Sequence, residues 1–431
     1  MKFRSLKKFI ELLLKEKIKR KGKLNNSNFT RNNKMNFLDM LFFIMGNKGK
    51  TLTLELNEYM EKIGKESITK QAFSKQRQNL NPEVFKYLNN ELVKIEYKNP
   101  NVKTYKGYKI LAVDGTMIEM PNSKELKEHY GLTEGQPTSV GRVRGRGIGI
   151  YDVLNKIMVR TRLEPCKVSE KEQIEKELKN LKRMFKKDKI ILVCDRYFFG
   201  LSFIHQLEKL GFKYLIRMKT KDYKKEKEEM KTNDEIVELR VRTNSVYYAK
   251  TKEEKEELKE VKKVKTRIIK TILSNNEEEH LATNLTQNEL SEIEAMELYH
   301  ERWEIEKAFD ILKNKIKIEN FSSHKVIGVE QDFYAQILVY NLLETIKRET
   351  NEEELPKNKK YEYKFNMNIM VGMFKNKFIE IVANEELEED IMEEFIQEIT
   401  KYLVPIKPNR NYPRRKMHSM NKYRHNLRRN F

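Results

Sequence analysis

Tyr299, Arg302, Glu306 and Lys313 stand at steps of three, four and seven within YHERWEIEKAFDILK, residues 299–313. On an α-helix each residue turns about 100° from the last, which puts the latter three at roughly 300°, 340° and 320° from Tyr299. All four then share one stripe, while Leu298, Ile305, Phe309, Leu312 and Ile316 gather at roughly 220–280° as a packing face. The stripe carries a carboxylate, two cations and a phenol. Two further acids are singled out by context: Asp114 follows the apolar run YKILAV, and Asp195 follows KIILVC. Hard cations such as Mg²⁺ prefer oxygen ligands and are often held by a few carboxylates plus substrate phosphate. A pair of such ions assists in-line displacement at phosphorus, and three carboxylates from separate elements are the least a protein contributes to that arrangement. The same residues also suit a plainer role, because Asp-Gly at 114–115 is a common turn and Glu306 with Lys307 and Asp310 suits a solvated helix face. Spacing leaves both open.

The elements that must position these side chains follow from periodicity. Residues 108–121 predict an apolar strand ending on Asp114 and Gly115, and residues 147–165 predict a hairpin turning at Leu154-Asn155. A helix from Ser169 to Lys186, a buried strand over 188–200, a helix over 200–210 and a strand over 213–219 complete a β-β-β-α-β-α-β order. That order predicts an α/β sheet of mixed strand direction. Residues 220–280 break the pattern with alternating, exposed-looking strands and charged loops, expected to form an inserted β-rich subdomain. A short strand at 280–285 then leads into one long helix from Glu289 to about Ile318, which carries the opening stretch, and a further helix covers about 329–349.

Residues 1–98 predict a helical domain, starting with a basic amphipathic helix whose apolar stretch is interrupted by Glu11 and lacks a small-residue cleavage site. Within it, SITKQAFSKQRQNLNPEVFKYL (67–88) predicts two short helices broken at Asn81-Pro82. The first presents Ser67, Thr69, Gln71, Ser74, Lys75, Gln76 and Arg77 as a polar, basic face suited to phosphates and base edges. Residues 105–349 form the predicted catalytic domain, and 350–431 a linker, two helices and a basic tail.

The chain of 431 residues is long enough for about two to four domains. Its formal net charge of +22 is partly a solvated Lys/Glu surface, but residues 407–431 hold nine Lys or Arg and no acid, interleaved with Tyr412, Tyr423 and Phe431. That pattern favours a polyanionic partner, nucleic acid first. Two cysteines, Cys166 and Cys194, exclude a disulfide framework and a cysteine-rich zinc site, and suit a reducing cytoplasmic interior. No apolar run is long enough for a membrane span.

Tyr299, Arg302, Glu306 and Lys313 match Y-x2-R-x3-E-x6-K, so the chain resembles DDE transposases of the insertion-sequence-four type. VDGT (113–116) is similar to that family's first-aspartate motif and CDRYFFG (194–200) to its second, with Tyr197 standing where the family often has glycine. GIYDVLN (149–155) and LATNL (281–285) resemble the second strand and the strand before the signature helix, and the resemblance spans about 110–345.

The resemblance implies a ribonuclease-H-like catalytic core in which Asp114, Asp195 and Glu306 are the catalytic, metal-holding triad for two Mg²⁺ ions, replaceable by Mn²⁺. It implies hydrolysis of a phosphodiester at a transposon end, then attack of the freed 3′-hydroxyl on target DNA without a covalent enzyme intermediate. Tyr299, Arg302 and Lys313 would contact phosphates near the scissile bond. The expected partners are double-stranded DNA, bound at terminal inverted repeats through residues 1–98, and a second copy of the chain in a synaptic dimer in the bacterial nucleoid, with no membrane. Trp303 is expected in the core, and GRVRGRG (141–147) is expected either to touch DNA backbone or to be a solvated loop. Two other readings stay open: a catalytically inactive or recruited transposase-derived DNA-binding protein, and a nuclease acting on RNA or hybrids.

Overall fold

The computed structural model describes residues 3–30, 33–133, 141–243, 246, 252–272, 277–350, 361–383 and 389–407. Linker residues 351–360 and the basic tail after Lys407 lie outside the described residues. The chain divides into two compact units. One comprises residues 1–102, 117–145 and 309–431, the other 103–116 and 146–308. The helical N-terminal residues and the C-terminal helices therefore belong to one unit, and the stretch 105–349 is shared between both.

The second unit is built on a mixed sheet. In chain order the strands are β1 (Tyr108–Glu119), β2 (Leu132–Thr133), β3 (Arg142–Asp152), β4 (Ile157–Pro165), β5 (Lys189–Cys194), β6 (Lys213–Arg217), β7 (Asp234–Arg240), β8 (Lys263–Ile272) and β9 (Glu278–Thr283). They pair in the order β2-β3-β1-β5-β6-β9-β8-β7, with β4 also on β3. The β1–β5 and β5–β6 pairs are parallel, whereas β6–β9, β9–β8 and β8–β7 are antiparallel. The parallel centre is where the sequence is most uniformly apolar. Ile110 to Val113 and Ile190 to Cys194 are all buried, as strands covered on both faces require. The helices Glu170–Met184 and Leu201–Lys209 are the predicted connections between β4, β5 and β6.

Three expectations are corrected. The segment 220–280 contributes β7 and β8 to the edge of the main sheet, where Ile268 and Ile269 are buried opposite β9, and makes no separate sheet among the described residues. Alternation identifies a strand but does not tell which sheet it joins. Next, β1 does not stop at Asp114 but runs on to Glu119. Finally, the long helix from Glu289 is broken. It runs as Glu292–His300, a turn at Glu301 and Arg302, Trp303–Asp310, and a π-helical segment Ile311–Ile316 ended by Lys317 in the left-handed region. Ser291 and Glu294 form a capping box at its start. No glycine or proline marks the break, so the sequence carried no signal for it.

The first unit is helical. Its central helix, Val326–Thr350, is buried on every side along most of its length, the state expected of a helix that is apolar all round. Helices Arg4–Leu13, Phe37–Met45, Glu83–Glu96 and Met367–Ala383 pack against it. No described helix is long and apolar enough to cross a membrane.

Candidate active site

The register of two strands sets the first two acids side by side. Val113 of β1 lies opposite Cys194 of β5 in a parallel pair, so the next residues, Asp114 and Asp195, leave neighbouring strands at the same level. Asp195 directly follows β5 and closes a tight turn, its carboxylate accepting from the Tyr197 N–H at 2.9 Å and its carbonyl from the Phe198 N–H at 3.1 Å. Asp114 Oδ1 accepts from the Gly115 N–H at 2.9 Å. Burial pushes the Asp114 carboxyl up to about 7; the Gly115 N–H and Arg302 pull it down, while the charges of Asp195 and Glu306 push it further up.

Glu306 enters from the Trp303–Asp310 helix. Arg302, one turn earlier and only 7% exposed, joins it to the strands. Its Nη2 donates to Glu306 Oε1 at 3.1 Å, and its Nη1 lies 3.8 Å from Asp114 Oδ2. The guanidinium carbon stands 5.9 Å from the centre of the Tyr299 ring and 5.0 Å from that of Trp303, within cation–π reach. Arg302 Nε is buried with no hydrogen-bond partner among the described residues. Tyr299 is buried, and burial raises its hydroxyl to about 12.

Five of the six residues singled out in the sequence thus meet in one unit. Lys313 belongs to the other unit, in the π-helical segment, where its ammonium donates to the Met117 carbonyl at 2.6 Å and lies 3.9 Å from Glu319. The single stripe expected of a continuous α-helix is therefore corrected. Arg302 and Glu306 keep their i, i+4 contact, but the turn at Glu301 and the π-helical segment change the phase on either side. Trp303 is also corrected: at 40% exposed it is not a core residue. GRVRGRG is neither a solvated loop nor irregular, since residues 142–147 lie within β3. The polar face at 67–77 loses one member, because Arg77 is buried and donates to Asp332, Ser322, Gln331 and the Gly328 carbonyl. Gln76 donates to the Met35 carbonyl, whereas Ser67, Thr69, Gln71, Ser74 and Lys75 remain exposed.

Sequence inspection missed Glu170. It opens the Glu170–Met184 helix behind the N-cap Ser169, and its carboxyl group lies against Gly115, where an added Cβ would overlap it. Burial raises its carboxyl above the ordinary range; Arg146 opposes this and the charge of Asp195 adds to it. An acid in the first turn of a helix is common for the helix dipole alone, so spacing gave no reason to select it.

Asp114, Asp195 and Glu306 offer the oxygen donors that a hard divalent cation prefers. As the side chains stand, however, no group of three or more His, Cys, Asp or Glu among the described residues is set to hold a metal ion. The positive charge facing Asp114 and Glu306 is the Arg302 guanidinium.

The fold and the site together define a mixed α/β sheet that presents acids at the level of its central strands. Residues 105–342 match the transposase DDE domain family, more than half of the chain, and the protein belongs to that family. Such transposases generally use divalent metal ions. Among solved structures, the chain is similar to the piggyBac transposase of a synaptic complex with hairpin DNA, at 9% identity and a TM-score of 0.44, over 92% of this chain and 85% of that one. No curated protein matches the chain.

Proposed function

We propose that the protein is a DNA transposase of the Y-R-E-K type with a ribonuclease-H-like core, which cuts at terminal inverted repeats and joins the freed 3′-hydroxyl to target DNA. The observation that carries this is the register of Val113 against Cys194, which delivers Asp114 and Asp195 together, with Glu306 linked to Asp114 through Arg302. When bound, Mg²⁺ ions held by these three acids would polarise the scissile phosphate and stabilise the leaving oxygen.

The chain's own residues supply the rest. Arg302 neutralises Asp114 and Glu306, and its withdrawal would free both carboxylates and make a planar, five-donor group available to a phosphate. Tyr299 supports the guanidinium through its ring face. Lys313 is assigned a phosphate contact on its place in the signature alone. The exposed face formed by Ser67, Thr69, Gln71, Ser74 and Lys75 is the part of residues 1–98 suited to duplex DNA, and the working assembly is a homodimer holding two ends.

The test is end cleavage by the purified full chain on duplexes carrying the repeats that flank its gene, with Mg²⁺ or Mn²⁺. Asp114→Asn, Asp195→Asn and Glu306→Gln should each abolish cleavage and leave DNA binding in place. Wild-type rates from any one of them would overturn the assignment.

A further inference from the structure

We propose that Glu170 is a fourth carboxylate of the divalent-cation site, a ligand on the Asp195 side that lies outside the three-acid signature. The inference rests on the site assigned above and extends its ligand set.

Three observations place Glu170 there. Its carboxyl group packs directly on Gly115, the residue after Asp114, so closely that any side chain at 115 would collide with it. Glycine at 115 is therefore explained by clearance, since its backbone is not in the left-handed region. Asp195 acts electrostatically on Glu170, which puts the fourth acid near the second member of the triad. Finally, the Glu170 side chain makes no hydrogen bond or ion pair of its own with any described residue. The neighbouring acids of the same unit do: Glu164 pairs with Arg162, Glu177 with Arg160 and Arg162, and Glu304 with Lys156 and Lys307.

A half-buried carboxylate placed among other acids, with no ion pair, is costly unless a cation joins it. Arg302 answers Asp114 and Glu306 but forms no ion pair with Glu170. A divalent ion seated by Asp114 and Asp195 would meet Glu170 across Gly115, and hard ions commonly take oxygen ligands from several separate elements. The Glu170–Met184 helix, capped at Ser169, gives that ligand a rigid mount.

The experiment is Mn²⁺ binding to the full chain, read by electron paramagnetic resonance and by the rise in melting temperature on adding Mn²⁺. Glu170→Gln should weaken Mn²⁺ binding about tenfold or more, or lower the number of ions bound, and should shrink the Mn²⁺-induced rise while leaving the melting temperature in chelator unchanged or higher. Gly115→Ala, which displaces the Glu170 carboxyl, should act in the same direction, and Glu170→Asp should keep part of the affinity. If Glu170→Gln binds Mn²⁺ like the wild type while Asp114→Asn and Asp195→Asn lose it, the inference fails and the three-acid site stands. If none of these variants loses Mn²⁺, the site assignment itself fails and the fourth ligand with it. A fall in melting temperature equal in chelator and in Mn²⁺ would mark Glu170 as structural and overturn the proposal.

Discussion

Arg302 donates to Glu306 across 3.1 Å, one helical turn away, and its other terminal nitrogen faces Asp114 at 3.8 Å. A guanidinium thus sits against two acids of the site. Arg302→Gln removes it and leaves the partly buried Asp114 uncompensated. The expected result is a destabilisation of about 1–3 kcal/mol in chelator, much of it restored by Mn²⁺, together with loss of cleavage. Urea titrations with and without Mn²⁺ check this, and equal destabilisation in both conditions would count against the exchange of guanidinium for ion.

The three acids are expected to behave alike in catalysis and unlike in stability. Each amide substitution should lower end cleavage by at least about a hundredfold, the scale seen when transition-state charge stabilisation is removed. Asp114→Asn should also stabilise the protein in chelator, because burial is the main force raising the Asp114 carboxyl to about 7. Single-turnover cleavage and thermal melts in chelator separate the two effects.

Lys375 gives a pH prediction away from the site. Its fully buried ammonium donates to the carbonyls of Asn47 at 2.7 Å and Ile316 at 3.3 Å, and burial pushes it down to about 8 against the opposing charges of Glu55 and Asp332. Because the unfolded lysine titrates near 10.5, the unfolded chain binds more protons between about 8 and 10.5. The contribution of Lys375 to stability therefore rises with pH across that window. The stability difference between wild type and Lys375→Met should change in favour of the wild type by up to about 3 kcal/mol from pH 7.5 to 10.5. A constant difference would contradict this.

Arg77 is fixed in the first unit by a side-chain pair with Asp332 at 2.6 Å, both 5% exposed or less, and by Gln331, Ser322 and the Gly328 carbonyl. Arg77→Ala should cost about 3–5 kcal/mol, because a charged aspartate is left buried without its partner. Chemical denaturation measures it. Lys75→Ala, exposed two residues earlier, should leave stability within about 0.5 kcal/mol and weaken DNA binding.

Removing residues 408–431 takes away eight of the nine tail cations counted from residue 407. DNA affinity should fall, and the dependence of log affinity on log salt should flatten by about 0.9 for each phosphate that the tail no longer neutralises. An unchanged slope would reduce the tail to a solubility element.

Much of the second unit was legible from periodicity alone. The order of strands and helices from 108 to 219 followed from apolar runs, turn residues and the Ser169 cap, because each is a local property of the chain. The acids after YKILAV and KIILVC, and the Tyr, Arg, Glu and Lys of the signature, were visible for the same reason. What the tertiary structure decided is pairing and occupancy. Only the β1–β5 register brings Asp114 level with Asp195. Only packing breaks the helix at Glu301 and directs Lys313 to the Met117 carbonyl, leaves Trp303 exposed and spends Arg77 inside the protein. Glu170 shows the limit most clearly. Its type and position suit any helix start, and its place against Gly115 exists because two segments distant in the chain are folded together.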